Sequence, residues 1–179
     1  MKVLSLLSII SLNSATALAA KAGSDCNVEG NLFMLNIGDR DQIVISEWGS
    51  QGTELIAQLG SDHSVANTQD ALFYINKDNN RLIVFDVGAE FQPSNAYTDS
   101  PNGGELKFTY YNDTAIHHYW PVFDINSTGN LTVNGSSKAF SVCYSKNSHS
   151  TIHIGSTAGK NCTAIDDLIV YRVTSQLQE

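Results

Sequence analysis

The chain has little of what usually announces an intracellular or membrane-embedded machine. Its 179 residues include three cysteines, three prolines and two tryptophans. Ten Lys and Arg stand against eighteen Asp and Glu, a formal net charge of −8. With that balance and no basic cluster, nucleic acid and anionic lipid are excluded as partners. After the first twenty residues no apolar run approaches the roughly 20 residues that a membrane helix needs. The closing stretch Thr174-Ser175-Gln176-Leu177-Gln178-Glu179 is polar, so neither a membrane anchor nor a GPI signal is expected. No Gly-x-Ser-x-Gly nucleophile elbow occurs. Asn102-Gly103-Gly104 has no lysine and no helix behind it, so it reads as a turn and not a phosphate cradle.

What is present points outward from the cell. Lys2 is a short positive region, Val3 to Leu12 is apolar apart from serines, and Ala17-Leu18-Ala19 is a small-x-small cleavage signal. Residues 1–19 therefore read as a secretory signal peptide, and 20–179 as one secreted domain. Loss of Lys2 takes the charge from −8 to −9. Hydrophobic residues make up 42%, enough for a core of domain size. In an oxidising compartment two of Cys26, Cys143 and Cys162 pair and the third is left over. The favoured pair is Cys143–Cys162, whose loop closure contributes about 3 kcal/mol by chain entropy. The alternative joins Cys26 to Cys162. Five Asn-x-Ser/Thr sequons stand at Asn112, Asn126, Asn130, Asn134 and Asn161, all in the C-terminal half and three within one hairpin-like stretch. Asn161 has Cys162 as its middle residue, and a disulfide there obstructs transfer.

Short runs rich in β-branched and aromatic residues alternate with turn signals, and no helical period is sustained. The runs are 32–35, 42–45, 72–75, 81–85, 106–111, 131–133, 140–143, 151–154 and 167–173. Between them lie Gly38-Asp39, Asp78-Asn79-Asn80, Asn102-Gly103-Gly104, Thr128-Gly129-Asn130 and Asn134-Gly135, residues that tolerate positive φ. Thr53 to Leu59 reads as a short helical turn, and Asp86 to Pro101 as a long loop. A degenerate unit recurs: Phe33-Met34-Leu35-Asn36, Phe73-Tyr74-Ile75-Asn76 and Phe123-Asp124-Ile125-Asn126, each leading through a turn into a strand. Three hairpin-bearing units predict an all-β, β-trefoil-like barrel, with a two-sheet β-sandwich as the alternative.

Candidate chemistry is sparse. His149 and His153 have the spacing of a helical zinc site. In an extended segment four residues span about 13 Å, too far for bonds of roughly 2.1 Å to one ion. His117-His118 would face apart in a strand, so no metal site or cofactor is expected. Glu47, Glu90, Glu105, Asp166 and Asp167 are carboxylates for which no converging pair can be named, and Asp166-Asp167 would also face apart in a strand. Cys143 is better placed as a disulfide partner than as a nucleophile. No catalytic residue is assigned. Trp48, Trp120 and Tyr119, with Tyr110 and Tyr111, are candidates for stacking sugar rings, against the simpler reading that they fill the core.

Phe123 to Val173 resembles the C-terminal cysteine domain of fungal cell-wall mannoproteins of the PIR type and of related small yeast wall mannoproteins. The matching pieces are Phe123-Asp124-Ile125-Asn126-Ser127-Thr128-Gly129-Asn130-Leu131, Phe140-Ser141-Val142-Cys143, Thr151-Ile152-His153-Ile154 and Asn161-Cys162-Thr163-Ala164-Ile165, leading into Leu168-Ile169-Val170. The resemblance implies a structural, non-catalytic glycoprotein of the cell wall or surface, in contact with glucan or other wall glycoproteins. The family's glutamine-bearing repeats and further cysteines have no counterpart here. Retention then falls to an intermolecular disulfide through Cys26 or to non-covalent binding, and the other outcome is release into the medium. The alternative function is a secreted carbohydrate-binding, lectin-like module recognising wall or host glycans.

Overall fold

A computed structural model of the chain describes residues 32–38, 41–48, 54–60, 68–85, 93–109, 118–144, 150–155 and 161–173. The signal segment, Cys26, Glu90, Tyr110, Tyr111, Asn112, His117 and His149 lie outside the described residues. The strands are β1 (Phe33–Ile37), β2 (Asp41–Trp48), β3 (Glu54–Leu59), β4 (Thr68–Asp70), β5 (Leu72–Ile75), β6 (Leu82–Phe85), β7 (Pro93–Tyr97), β8 (Gly104–Glu105), β9 (Lys107–Thr109), β10 (Phe123–Ile125), β11 (Leu131–Val133), β12 (Phe140–Tyr144), β13 (Ser150–Ile154), β14 (Cys162–Ala164) and β15 (Leu168–Arg172). One 3-10 turn, Ser137–Ala139, precedes β12.

The described chain is all-β and every strand pair in it is antiparallel. Strands β1, β5, β6, β7, β9, β3 and β2 are hydrogen-bonded in that order, and β2 returns to β1 through Asn36↔Gln42 and Ile37↔Asp41. The seven strands thus close a barrel, which separates this architecture from an open two-sheet sandwich. Outside the ring, β15 pairs with β1 from Phe33↔Arg172 to Ile37↔Leu168, and β4 pairs with β2. A second sheet runs β14-β12-β13-β8. It is tied to the barrel by Leu106 N–H donating to the Ile152 carbonyl (2.7 Å) and Ala57 N–H to the Leu106 carbonyl (3.2 Å). Leu59 N–H also donates to the buried Ser150 hydroxyl (3.2 Å).

Alternation explains which side chains enter the core. Phe33 and Leu35 of β1, Ile43 and Ile45 of β2, and Leu55, Ala57 and Leu59 of β3 share one buried cluster with Phe140, Val142, Ile152 and Ile154 of the second sheet. Phe33 stacks on Phe73 at a centroid separation of 6.2 Å, and Phe108 meets Phe73 at a tilt, 5.9 Å away. Strand β6 is buried on both faces: Leu82 and Val84 join the main core, while Ile83 and Phe85 pack with Tyr74 in a smaller cluster.

The three recurring units are all hairpins, opening β1–β2, β5–β6 and β10–β11, and each begins with a buried phenylalanine. Their asparagines have a physical role in two of the three. Asn76 Oδ1 accepts from Asp78 N–H (2.9 Å) and Asn126 Oδ1 from Thr128 N–H (3.0 Å), so both side chains template the turn that follows. The first two units give strands to the ring, whereas β10–β11 is a separate ladder lying against β15 through the Asn130↔Ile169 bridge. The turns take positive φ at Asn80 (54°) and at the Asn134-Gly135 pair (49° and 81°). Gly103 also meets a steric demand, because a Cβ there would overlap the Ile154 carbonyl oxygen.

Two expectations are corrected. Residues expected to form a helical turn between Thr53 and Leu59 form β3, since Leu55, Ala57 and Leu59 at every second position are drawn into the barrel. The stretch expected as a loop between Asp86 and Pro101 contains β7. Its inward residues Ser94 and Ala96 are small, so the apolar signal was weak, and Pro93 sits at its first position.

Replacing Phe73 removes the middle ring of the three. Phe73→Ala is expected to lower unfolding free energy by about 3–5 kcal/mol. Urea denaturation checks this through a lower midpoint.

Candidate functional site

The loop before β10 is pinned on three sides. Thr98 and Tyr119 exchange backbone hydrogen bonds of 3.0 Å each, Phe123 N–H donates to the Asn80 carbonyl (2.8 Å), and Asn134 N–H donates to the Val122 carbonyl (2.8 Å). This places Trp120 beside Tyr97, His118 and Arg81. The Arg81 guanidinium carbon lies 4.2 Å from the Trp120 ring centroid, a cation–π contact that occupies one indole face. Tyr97 is 6.1 Å away at 58°, His118 is 5.4 Å away edge-on at 77°, and Tyr97 and His118 are 4.1 Å apart. The rings meet at interplanar angles of 48° to 77° around the buried Tyr97. Tyr119 is 38% exposed. Trp48 ends β2 opposite Glu54, and its side chain lies outside the described residues.

The Cys143–Cys162 disulfide is formed, with Cα atoms 4.0 Å apart. The two residues face each other across β12 and β14, so the bond cross-links neighbouring strands of the second sheet. Cys143 is buried. The four described sequon asparagines differ in setting. Asn134 and Asn161 are exposed, Asn134 at the tip of its two-residue turn. Asn126 is half-buried, and its Oδ1 accepts from Thr128 N–H, Thr128 Oγ1 (2.8 Å) and Asn130 N–H (2.9 Å). Asn130 is also half-buried, and its Nδ2 donates to Asp167.

His153 of β13 lies opposite Glu105 of β8 and hydrogen-bonds through Nε2 to Thr151 Oγ1 (3.0 Å). Its Nδ1 is buried without a partner. Burial pushes the imidazole pKa below its ordinary value, and the Glu105 carboxylate opposes that shift. Among the described residues no group of three or more His, Cys, Asp or Glu is arranged to hold a metal ion.

The carboxylates bring a correction. Asp166 and Asp167 were expected to face apart in a strand, but β15 begins at Leu168, so both lie in the preceding connection and line one groove together with Asp41. This groove, about 470 Å³ in volume, was not anticipated from the sequence. Its signal was Tyr144: it continues the Phe140–Val142 face of β12 by one more alternation, past the edge of the core, and is 47% exposed.

Two outcomes are expected. Cys143→Ala with Cys162→Ala should cost about 3 kcal/mol by loss of the loop constraint, read in urea without reductant. His153 sets the second. Its folded pKa lies below the unfolded value of about 6.5, so below that pH the unfolded chain gains a proton that the folded chain refuses. Stability then falls as pH drops from about 6.5 through the folded value. Denaturation midpoints at pH 7 and pH 5 should differ more for the parent than for His153→Gln.

No protein-family model matches this chain, and no curated protein matches it either.

Proposed function

We propose that this chain is a secreted, N-glycosylated mannoprotein of the fungal cell wall or cell surface, with a structural and non-catalytic role. The observation that carries the reading is the Cys143–Cys162 bond. It joins two of the four segments on which the resemblance to wall mannoproteins rests, and bonds of this kind persist in oxidising compartments. The exposure of Asn134 also supports it, since it offers the amide to a glycan without disturbing the core. The three Phe-x-aliphatic-Asn hairpins are read as units of a trefoil-like barrel, supported by their shared buried phenylalanines and by the turn-templating Asn76 and Asn126. The lectin-like alternative through Trp48, Trp120 and Tyr119 is weakened by the Arg81 guanidinium over Trp120. Retention in the wall is assigned to a disulfide from Cys26 to another wall glycoprotein.

Fractionation of a tagged copy in a budding yeast tests the reading. Reductant should release the chain from washed walls, and Cys26→Ser should send it to the medium. Ser136→Ala should remove one glycan's worth of gel mobility while keeping Asn134, whose positive φ the turn requires. Release by alkali or glucanase alone would replace the disulfide with a covalent glucan link. Parent protein found wholly in the medium would overturn the wall assignment.

A further inference from the structure

The groove is lined by the β1–β2 turn and the end of β3 from the barrel, and by β12, β14 and the connection into β15. Its floor is the margin of the hydrophobic core, formed by Ile37 and Leu59 of the barrel and by Val142 and Ile165 beside the disulfide. Asp41 comes from the start of β2, while Asp166 and Asp167 come from the connection into β15. Asn130 Nδ2 donates to Asp167 Oδ1, which holds that carboxylate in place and leaves its second oxygen to accept. Tyr144 and Ile169 also line the groove. Two positions beyond Ile169 on the same outward face of β15 is Tyr171, 41% exposed, so the apolar strip continues about 7 Å past the groove. Tyr144 in the groove and Tyr171 beyond Ile169 are thus two of the large exposed apolar side chains among the described residues.

The chemistry selects one kind of occupant. Ionised carboxylates only accept hydrogen bonds, so the groove calls for a ligand rich in donors. Three acidic groups with no cation among the described lining residues disfavour an anion. The aromatic rings and aliphatic floor call for a ligand with apolar faces. A pyranose has both, with C–H faces to lie on tyrosine and hydroxyl groups to donate to aspartate. We propose that this groove is a binding site for a neutral polysaccharide chain, whose sugar rings stack on Tyr144 and Tyr171 and whose hydroxyls donate to Asp41, Asp166 and Asp167. The choice of polysaccharide rests on the reading of the chain as a wall glycoprotein, and the site would orient on the wall a chain that Cys26 retains.

The test is titration of the purified, glycosylated chain with soluble β-1,3-glucan, α-mannan and chitin oligosaccharides, by calorimetry. Binding to at least one is expected, and it should survive 1 M NaCl because the ligand is uncharged. Tyr144→Ala and Tyr171→Ala should each weaken it roughly tenfold, with urea midpoints close to the parent value, since both residues are exposed at the surface. Val122→Ser, an exposed site away from the groove, should leave affinity unchanged. Failure to bind any of the three would overturn the proposal. So would binding that both tyrosine variants retain, loss caused by Tyr119→Ala in their place, or capture of poly-lysine that salt abolishes. The two readings fail separately. Oligosaccharide binding by a chain found only in the medium would keep the groove and reject the wall assignment, whereas wall retention without such binding would do the reverse.

Discussion

The structure depends on closing a ring of backbone hydrogen bonds around three phenylalanines. Phe33, Phe73 and Phe108 come from β1, β5 and β9, and their rings fill the space that seven strands enclose. Neither element is stable without the other. An open sheet of these strands would leave Phe73 and its neighbours in water, and the rings alone could not orient strands so far apart in sequence. Closure is also what gives the second sheet a surface to rest on, through the Leu106 and Ser150 hydrogen bonds to β13 and β3.

Local chemistry made much of this legible. Asn80, Gly129 and the Asn134-Gly135 pair marked turns because few other residues accept their positive φ, and the flanking runs carried the β-branched residues of strands. The asparagine of the recurring unit was visible before its purpose was, which is to cap the turn at Asn76 and Asn126. What stayed hidden was non-local or small. Pairing of β3 with β9 and of β1 with β15 spans long stretches that no periodicity encodes. Strand β7 buries Ser94 and Ala96, which look like loop residues.

The candidate site was less legible than the fold. The sequence drew attention to tryptophan, the rarest aromatic, yet Trp120 lies under Arg81 and beside Tyr97. Besides Tyr119, the exposed rings among the described residues are tyrosines at ordinary strand positions, Tyr144 and Tyr171. Their meaning comes from where β12 and β15 end relative to the barrel mouth, a property of tertiary arrangement. Asp166 and Asp167 changed character for the same reason, because a one-residue shift in the start of β15 puts both carboxylates on one side. Cysteine spacing was informative where aromatic content was not, since a short loop between Cys143 and Cys162 left neighbouring strands as a natural geometry.

The register of β1 against β15 has a consequence for how the polypeptide comes into being. Synthesis runs from one end, and Phe33 faces Arg172. Strand β1 must therefore wait, with one edge unsatisfied, until Leu168 to Arg172 have been made. Over that interval its backbone donors and acceptors are open to any passing strand, including those of another nascent copy. A chaperone that shields Met34 to Ile37 during elongation would serve this protein better than one acting on the finished chain.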